Sequence, residues 1–221
     1  MSIVAAVFIP EGIILAGDSR LTRKRDEVEN GKTVKKEFTL TDNAQKVMLL
    51  SKVPVGIAFC GDAIIEGNTV ADYIRLFEIN KVEKTDTVET IATKLHAHIA
   101  GKDVNFFVCG YLNDVPYVYS VNKNCKRENL NSSGNVAYSI AWKGQTTPID
   151  RLINTDPHTD IRWSLMPLKD GIDLAEFIVD LTIKYERFQD DIQTCGGPID
   201  ILVIDKDRAF WYKHKTYKPN P

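Results

Sequence analysis

Residues 2–20 read SIVAAVFIPEGIILAGDSR, and the fold turns on how this stretch pairs with itself. Two β-rich runs, 3–9 and 13–18, flank Pro10-Glu11-Gly12, a combination that ends a strand and favours a tight reversal. The stretch therefore reads as a β-hairpin. Opposing Ile9 to Gly12, or Phe8 to Ile13, sets a register in which Ser2 stands across from Ser19, beside Asp18 and Arg20. A hydroxyl near the chain start then meets a carboxylate and a guanidinium. Because the second residue is small, Met1 is expected to be trimmed, leaving Ser2 with a free α-amino group beside its hydroxyl.

The chain has 221 residues, 43% of them apolar, which suits one large domain with a substantial core. Lys and Arg number 28 against 30 Asp and Glu, so no general field favours nucleic acid or an anionic membrane. The opening apolar run lacks a basic flank and is cut short at Pro10, so neither a signal peptide nor a membrane span is expected, and the protein is expected to be cytoplasmic. Cys60, Cys109, Cys125 and Cys195 are widely spaced with no CxxC and read as reduced, structural thiols. His96 and His98 lie two apart on a predicted helix and face different ways, so no metal site and no cofactor is expected.

Beyond the first hairpin, residues 22–42 turn polar and charged around Asn30-Gly31, an exposed excursion with the composition of a second hairpin. Apolar runs at 46–51 and 55–60 read as strands. A helix follows Gly61-Asp62 with Val70, Tyr73, Ile74 and Phe77 on one face. The next helix is capped by Asp86, with Glu89 as its N3 partner, and buries Val88, Ile91, Ala92, Leu95 and Ile99. NFFVCGYL and PYVYSV form strands joined at Asn113-Asp114, residues 136–142 offer one more, and a long helix over 173–188 is expected to bury Leu174, Phe177, Ile178, Leu181, Tyr185 and Phe188. The chain closes on a hairpin turning at Asp205-Lys206-Asp207. Strands and helices thus come in segregated runs, the pattern of an α+β fold in which antiparallel sheets are covered by helices, all within one domain.

Taken together, Ser2 followed by GIILAGDSR, QKVMLL, GIAFCGDA, a late helix and TCGGPIDILVID resembles the proteasome β-type family of N-terminal-nucleophile hydrolases over nearly the whole chain. The resemblance implies a four-layered αββα sandwich. It also implies an amide-bond hydrolase whose usual N-terminal threonine is replaced by Ser2, with Asp18 and Lys46 as charge partners. Lys46 near the terminal amine favours its neutral, proton-accepting form, so the amine can take the hydroxyl proton as Ser2 attacks a carbonyl. The resemblance sets the oxyanion-binding N–H at Ala58. It carries three supporting positions: Arg20, Cys195 in place of the family's serine in TCGG, and Asp191, one residue from the expected aspartate position now held by Ile192. Lys143 and Gly144 stand near the place of the family's Ser-Gly motif.

The family's substrate pocket maps onto Leu21, Ala44, Met48, Gly56, Cys60 and Ile64, none of them charged, which implies preference for neutral, medium-sized side chains. Relatives form stacked rings, so a homo-oligomer is expected, and the sequence names no unfoldase or regulator. The substrate class stays open between peptides and small amides, the latter making the chain an acylase. Because non-catalytic subunits of the family carry a similar strand-turn signature, an inert scaffold subunit is the alternative to an enzyme.

Overall fold

The computed structural model describes residues 2–29, 32–153, 160–190 and 192–216. Its strands in chain order are β1 (Ile3–Ile9), β2 (Gly12–Gly17), β3 (Leu21–Glu29), β4 (Lys32–Thr41), β5 (Val47–Leu49), β6 (Gly56–Gly61), β7 (Ile64–Ile65), β8 (Asn68–Thr69), β9 (Val104–Leu112), β10 (Val115–Val121), β11 (Cys125–Arg127), β12 (Ser139–Gly144), β13 (Asp200–Ile204) and β14 (Ala209–Lys213). The helices are α1 (Val70–Lys81), α2 (Val88–His98), α3 (Thr147–Ile153) and α4 (Leu168–Glu186). One five-stranded sheet runs β12-β1-β2-β13-β14 and a second runs β11-β10-β9-β6-β5, with antiparallel pairing throughout. The class is mixed α+β.

The β1–β2 register is the expected one, with Phe8 opposite Ile13 and Val4 opposite Gly17. Every residue of both strands is buried, because apolar side chains leave the sheet on both faces. Ile3, Ala5 and Val7 pack with Ala175, Ile178 and Val179 of α4. Val4, Ala6 and Phe8 instead meet Val47, Ala58 and Phe107 of the second sheet. The far face of that sheet, with Ile57, Phe106 and Val108, takes Ile74 and Phe77 of α1 and Ile91 and Leu95 of α2. The layers therefore follow one another as helices, sheet, sheet, helices.

Two expectations about helices are corrected. α2 is capped by Thr87, whose side chain accepts from the Thr90 N–H, while Asp86 accepts from Glu83 N and pairs with Lys94. α4 buries Ile172, Ala175, Ile178, Val179, Thr182 and Glu186, whereas Phe177 is 48% and Phe188 85% exposed. Its sheet-facing stripe is rotated because the helix lies very close to the sheet: a Cβ on Gly171 would sit 2.7 Å from Ile9 Cδ1. Small and β-branched side chains fit that gap and phenyl rings do not. The turn of the first hairpin also serves α4, since Glu11 Oε2 accepts the Leu168 N–H at 2.7 Å where Pro167 offers no side-chain cap.

Residues 22–42 do form a hairpin. β3 and β4 pair with each other in a separate two-stranded sheet, and the expected turn at Asn30-Gly31 lies outside the described residues. The expected strand at 136–142 is displaced toward the C-terminus, to Ser139–Gly144, and pairs along β1 with Gly144 opposite Ile3.

Candidate active site

The end of the first hairpin and the start of β5 meet at one end of the two sheets. Asp18 N donates to Ile3 O at 3.3 Å and Ile3 N returns to Asp18 Oδ1 at 3.1 Å, which continues the ladder one step past β2 and brings Ser2 level with Ser19. Lys46 Nζ donates to the same Oδ1 at 2.7 Å. The second carboxylate oxygen accepts from Arg20 N at 3.1 Å and Gly196 N at 3.0 Å. Asp18 is wholly buried and Lys46 almost so, at 0% and 4% exposure. An ion pair out of water persists only when its remaining hydrogen-bonding capacity is met, and here three backbone N–H groups complete the carboxylate.

Ser2 is fixed from its carbonyl side. Gln145 N donates to Ser2 O at 2.8 Å, and Gly144 stands against the same carbonyl with φ of +106°. A Cβ at position 144 would lie 1.8 Å from Ser2 O, so only glycine permits this approach. Lys143-Gly144 therefore reaches the site through backbone rather than through a hydroxyl.

Ser2 and Lys46 line one cleft of about 140 Å3, with Leu21, Ala44 and Cys60 from the expected pocket and Phe59 and Val70 beside them. Three expected pocket residues lie elsewhere. Met48 points into the core under α1, because alternation along β5 turns it away from the sheet interface. Gly56 is pressed against Leu15, Leu202 and Ile204 between the sheets. Ile64 is exposed and borders a separate groove with Thr22, Arg23 and Asp103. Burial pushes the Cys60 thiol up to about 12, with Lys46 opposing the shift, so it is a neutral cleft wall at ordinary pH.

Ladder geometry also turns the expected oxyanion donor away. Phe59 N donates to Lys46 O at 2.9 Å, so alternate N–H groups of β6 point toward β5. The Ala58 N–H consequently points the other way, toward β9, where Ala58 opposes Phe107. The Gly61 N–H points to the same side as that of Phe59, beyond the point where β5 begins, and Gly61 lines the cleft. Ala58 therefore turns its N–H away from the cleft, whereas Gly61 is part of the cleft lining.

The supporting positions fare differently. Arg20 helps Asp18 through its backbone N–H, while its guanidinium holds Asp42 at 2.7 and 3.0 Å and reaches Gln193 O at 3.3 Å. That bond holds the Asp42 carboxyl below the usual carboxylate range. Cys195 faces the α4 side of the first sheet, and burial raises its thiol well above the ordinary value. Its neighbour Gly196 supplies the contact to Asp18 instead. Asp191 lies outside the described residues. Sequence reasoning passed over Glu186, a buried carboxylate near Cys195, because the aromatic residues around it suggested a different buried stripe. Among the described residues no group of three or more His, Cys, Asp or Glu is arranged to hold a metal ion, and no helix is long and apolar enough to cross a membrane.

No family model matches the chain, and no curated protein matches it.

Proposed function

We propose that the chain is an N-terminal serine hydrolase of the proteasome β-type, N-terminal-nucleophile kind, cleaving peptide or other amide bonds through an acyl-enzyme on Ser2. The observation that carries this reading is the buried Asp18–Lys46 pair, 2.7 Å apart, opening on the cleft that Ser2 lines. A lysine at a cleft wall, paired with a wholly buried aspartate that backbone donors complete, is costly to retain for packing alone.

In the proposed reaction the free α-amine of Ser2 takes the hydroxyl proton as Oγ attacks the carbonyl carbon, with Lys46 holding the amine neutral and Asp18 holding Lys46. The Gly61 N–H meets the oxyanion. The proton then passes to the leaving amine, and water attack on the ester returns Ser2. The helices–sheet–sheet–helices order agrees with the αββα sandwich that the resemblance implies. The largely apolar cleft favours neutral, medium-sized side chains, and short fluorogenic peptides differing only beside the scissile bond read this directly.

Intact-mass measurement with and without a peptide epoxyketone tests the reading. The expected result is a protein lacking Met1 that gains one adduct, mapped to Ser2. Retention of Met1 in the native protein, or an adduct that survives Ser2→Ala, overturns it and promotes the scaffold alternative.

A further inference from the structure

We infer that Glu186 is a positioning residue for the Ser2 site, holding the segment 194–196 so that the Gly196 N–H is fixed on Asp18, the carboxylate that holds Lys46. Its part in turnover rests on the hydrolase reading; its grip on Asp18 does not.

The chain of contacts is continuous. Glu186 closes the last turn of α4 and is 5% exposed. Its Oε2 accepts the Thr194 N–H at 2.8 Å and the Cys195 N–H at 2.7 Å, and its Oε1 accepts the Thr194 hydroxyl at 2.8 Å. The next residue, Gly196, gives its N–H to Asp18 Oδ2 at 3.0 Å and takes the Ser19 N–H on its carbonyl at 2.9 Å. Gly196 is closed in from another side by Arg20, whose Cζ would be 2.7 Å from a Cβ there. The two peptides before Gly196 are thus anchored to a helix that packs along β1 and β2, the strands that carry Ser2 and Asp18.

A carboxylate is a demanding choice for this task. At the C-terminal end of a 19-residue helix it opposes the macrodipole, and burial adds a desolvation cost. A carboxylate serves two backbone N–H groups on one oxygen and a hydroxyl on the other, and its charge strengthens all three bonds. An amide could keep the two N–H bonds on its oxygen and donate to the Thr194 hydroxyl, so what the carboxylate adds is charge assistance. The arrangement therefore selects for rigidity at Thr194–Gly196, and the group that this rigidity serves is Asp18.

Glu186→Ala, Thr194→Val and Thr194→Ser test the assignment in the full chain. In Glu186→Ala the Gly196 amide should lose exchange protection, and the NMR resonances of the Ile3 and Arg20 amides, which share the Asp18 carboxylate with Gly196, should shift. Turnover should drop about tenfold in kcat with KM nearly unchanged. Thr194→Val should show the same changes at smaller amplitude, and Thr194→Ser should restore wild-type values. If Glu186→Ala does not fold, the threonine pair carries the test. A folded variant that leaves the Ile3 and Arg20 amide resonances unmoved overturns the inference, whether or not Gly196 is freed, because Glu186 would then only staple the loop. Exchange and amide shifts need no turnover, so an inactive wild-type protein would end the hydrolase reading and leave this test intact.

Discussion

The molecule contains two consecutive β-hairpins built on opposite principles. In β1–β2 every residue is buried, the strands are flanked by β12 and β13, and the register follows from apolar side chains serving two cores. In β3–β4 the strands pair only with each other, and Val28 is 75% exposed near the tip. An isolated two-stranded ladder of that kind rests on cross-strand pairs such as Glu27–Lys36 at 3.0 Å, each worth little in water. The difference teaches where chemistry can be held. Asp18 sits at the end of the buried hairpin, where a backbone ladder and a neighbouring loop fix its position. On the second hairpin the paired Lys36 and Glu27 side chains stand 45% and 37% exposed.

The largest effect should come from breaking the pair at the end of the buried hairpin. Asp18→Asn or Lys46→Met strands a charge out of water and is expected to cost about 3–5 kcal/mol in denaturant unfolding, with loss of turnover. The double variant should be more stable than the sum of the single losses predicts, because neither charge is then left alone. Additive losses would show that the pair is not one unit. Next in size is Gly144→Ala, which places a methyl group where Ser2 O now lies and forces a residue with a side chain to φ of +106°. A loss of about 1–3 kcal/mol is expected, with slower adduct formation at Ser2 by the epoxyketone probe. Wild-type reactivity would mean that β12 does not position Ser2.

A smaller effect reads the cleft through pH. The Cys60 thiol ionises near 9.0 when unfolded and only at about 12 when folded. Above pH 9 the unfolded chain therefore binds fewer protons than the native one, so stability is full below that point and falls as pH rises, by up to about 1.4 kcal/mol per pH unit for this group. Cys60→Ala removes that contribution, and the stability gap between wild type and variant should narrow by about 1 kcal/mol between pH 8 and pH 10. An unchanged gap would mean that the thiol is not desolvated. Smallest of all is Lys36→Ala in the exposed hairpin, expected to cost no more than about 0.5 kcal/mol and to become undetectable at high salt. A cost comparable with that of Asp18→Asn would erase the contrast between the two hairpins.

Much of this was legible in the residues alone. Apolar runs and turn residues are local signals, so the β1–β2 register, the faces of α1 and α2 and the reversal at Asn113-Asp114 all follow from the chain read in order. Lys46 came from the family resemblance, and the backbone placed it. Tertiary structure alone decided the rest, wherever the answer depended on an approach between distant segments. The closeness of α4 to the sheet at Gly171 chose small residues over Phe177 for the buried stripe. The point where β5 begins put Gly61 and not Ala58 on the cleft, since strand alternation says which N–H groups share a side but not where the neighbouring strand ends. Met48 and Gly56 left the cleft because layer packing on both sides of a sheet buries both parities of a strand. Glu186 stayed hidden because its partners, Thr194 and Cys195, are local in sequence, but Asp18, the group they serve, is 178 residues from Gly196 and is reached only when the sheet is assembled.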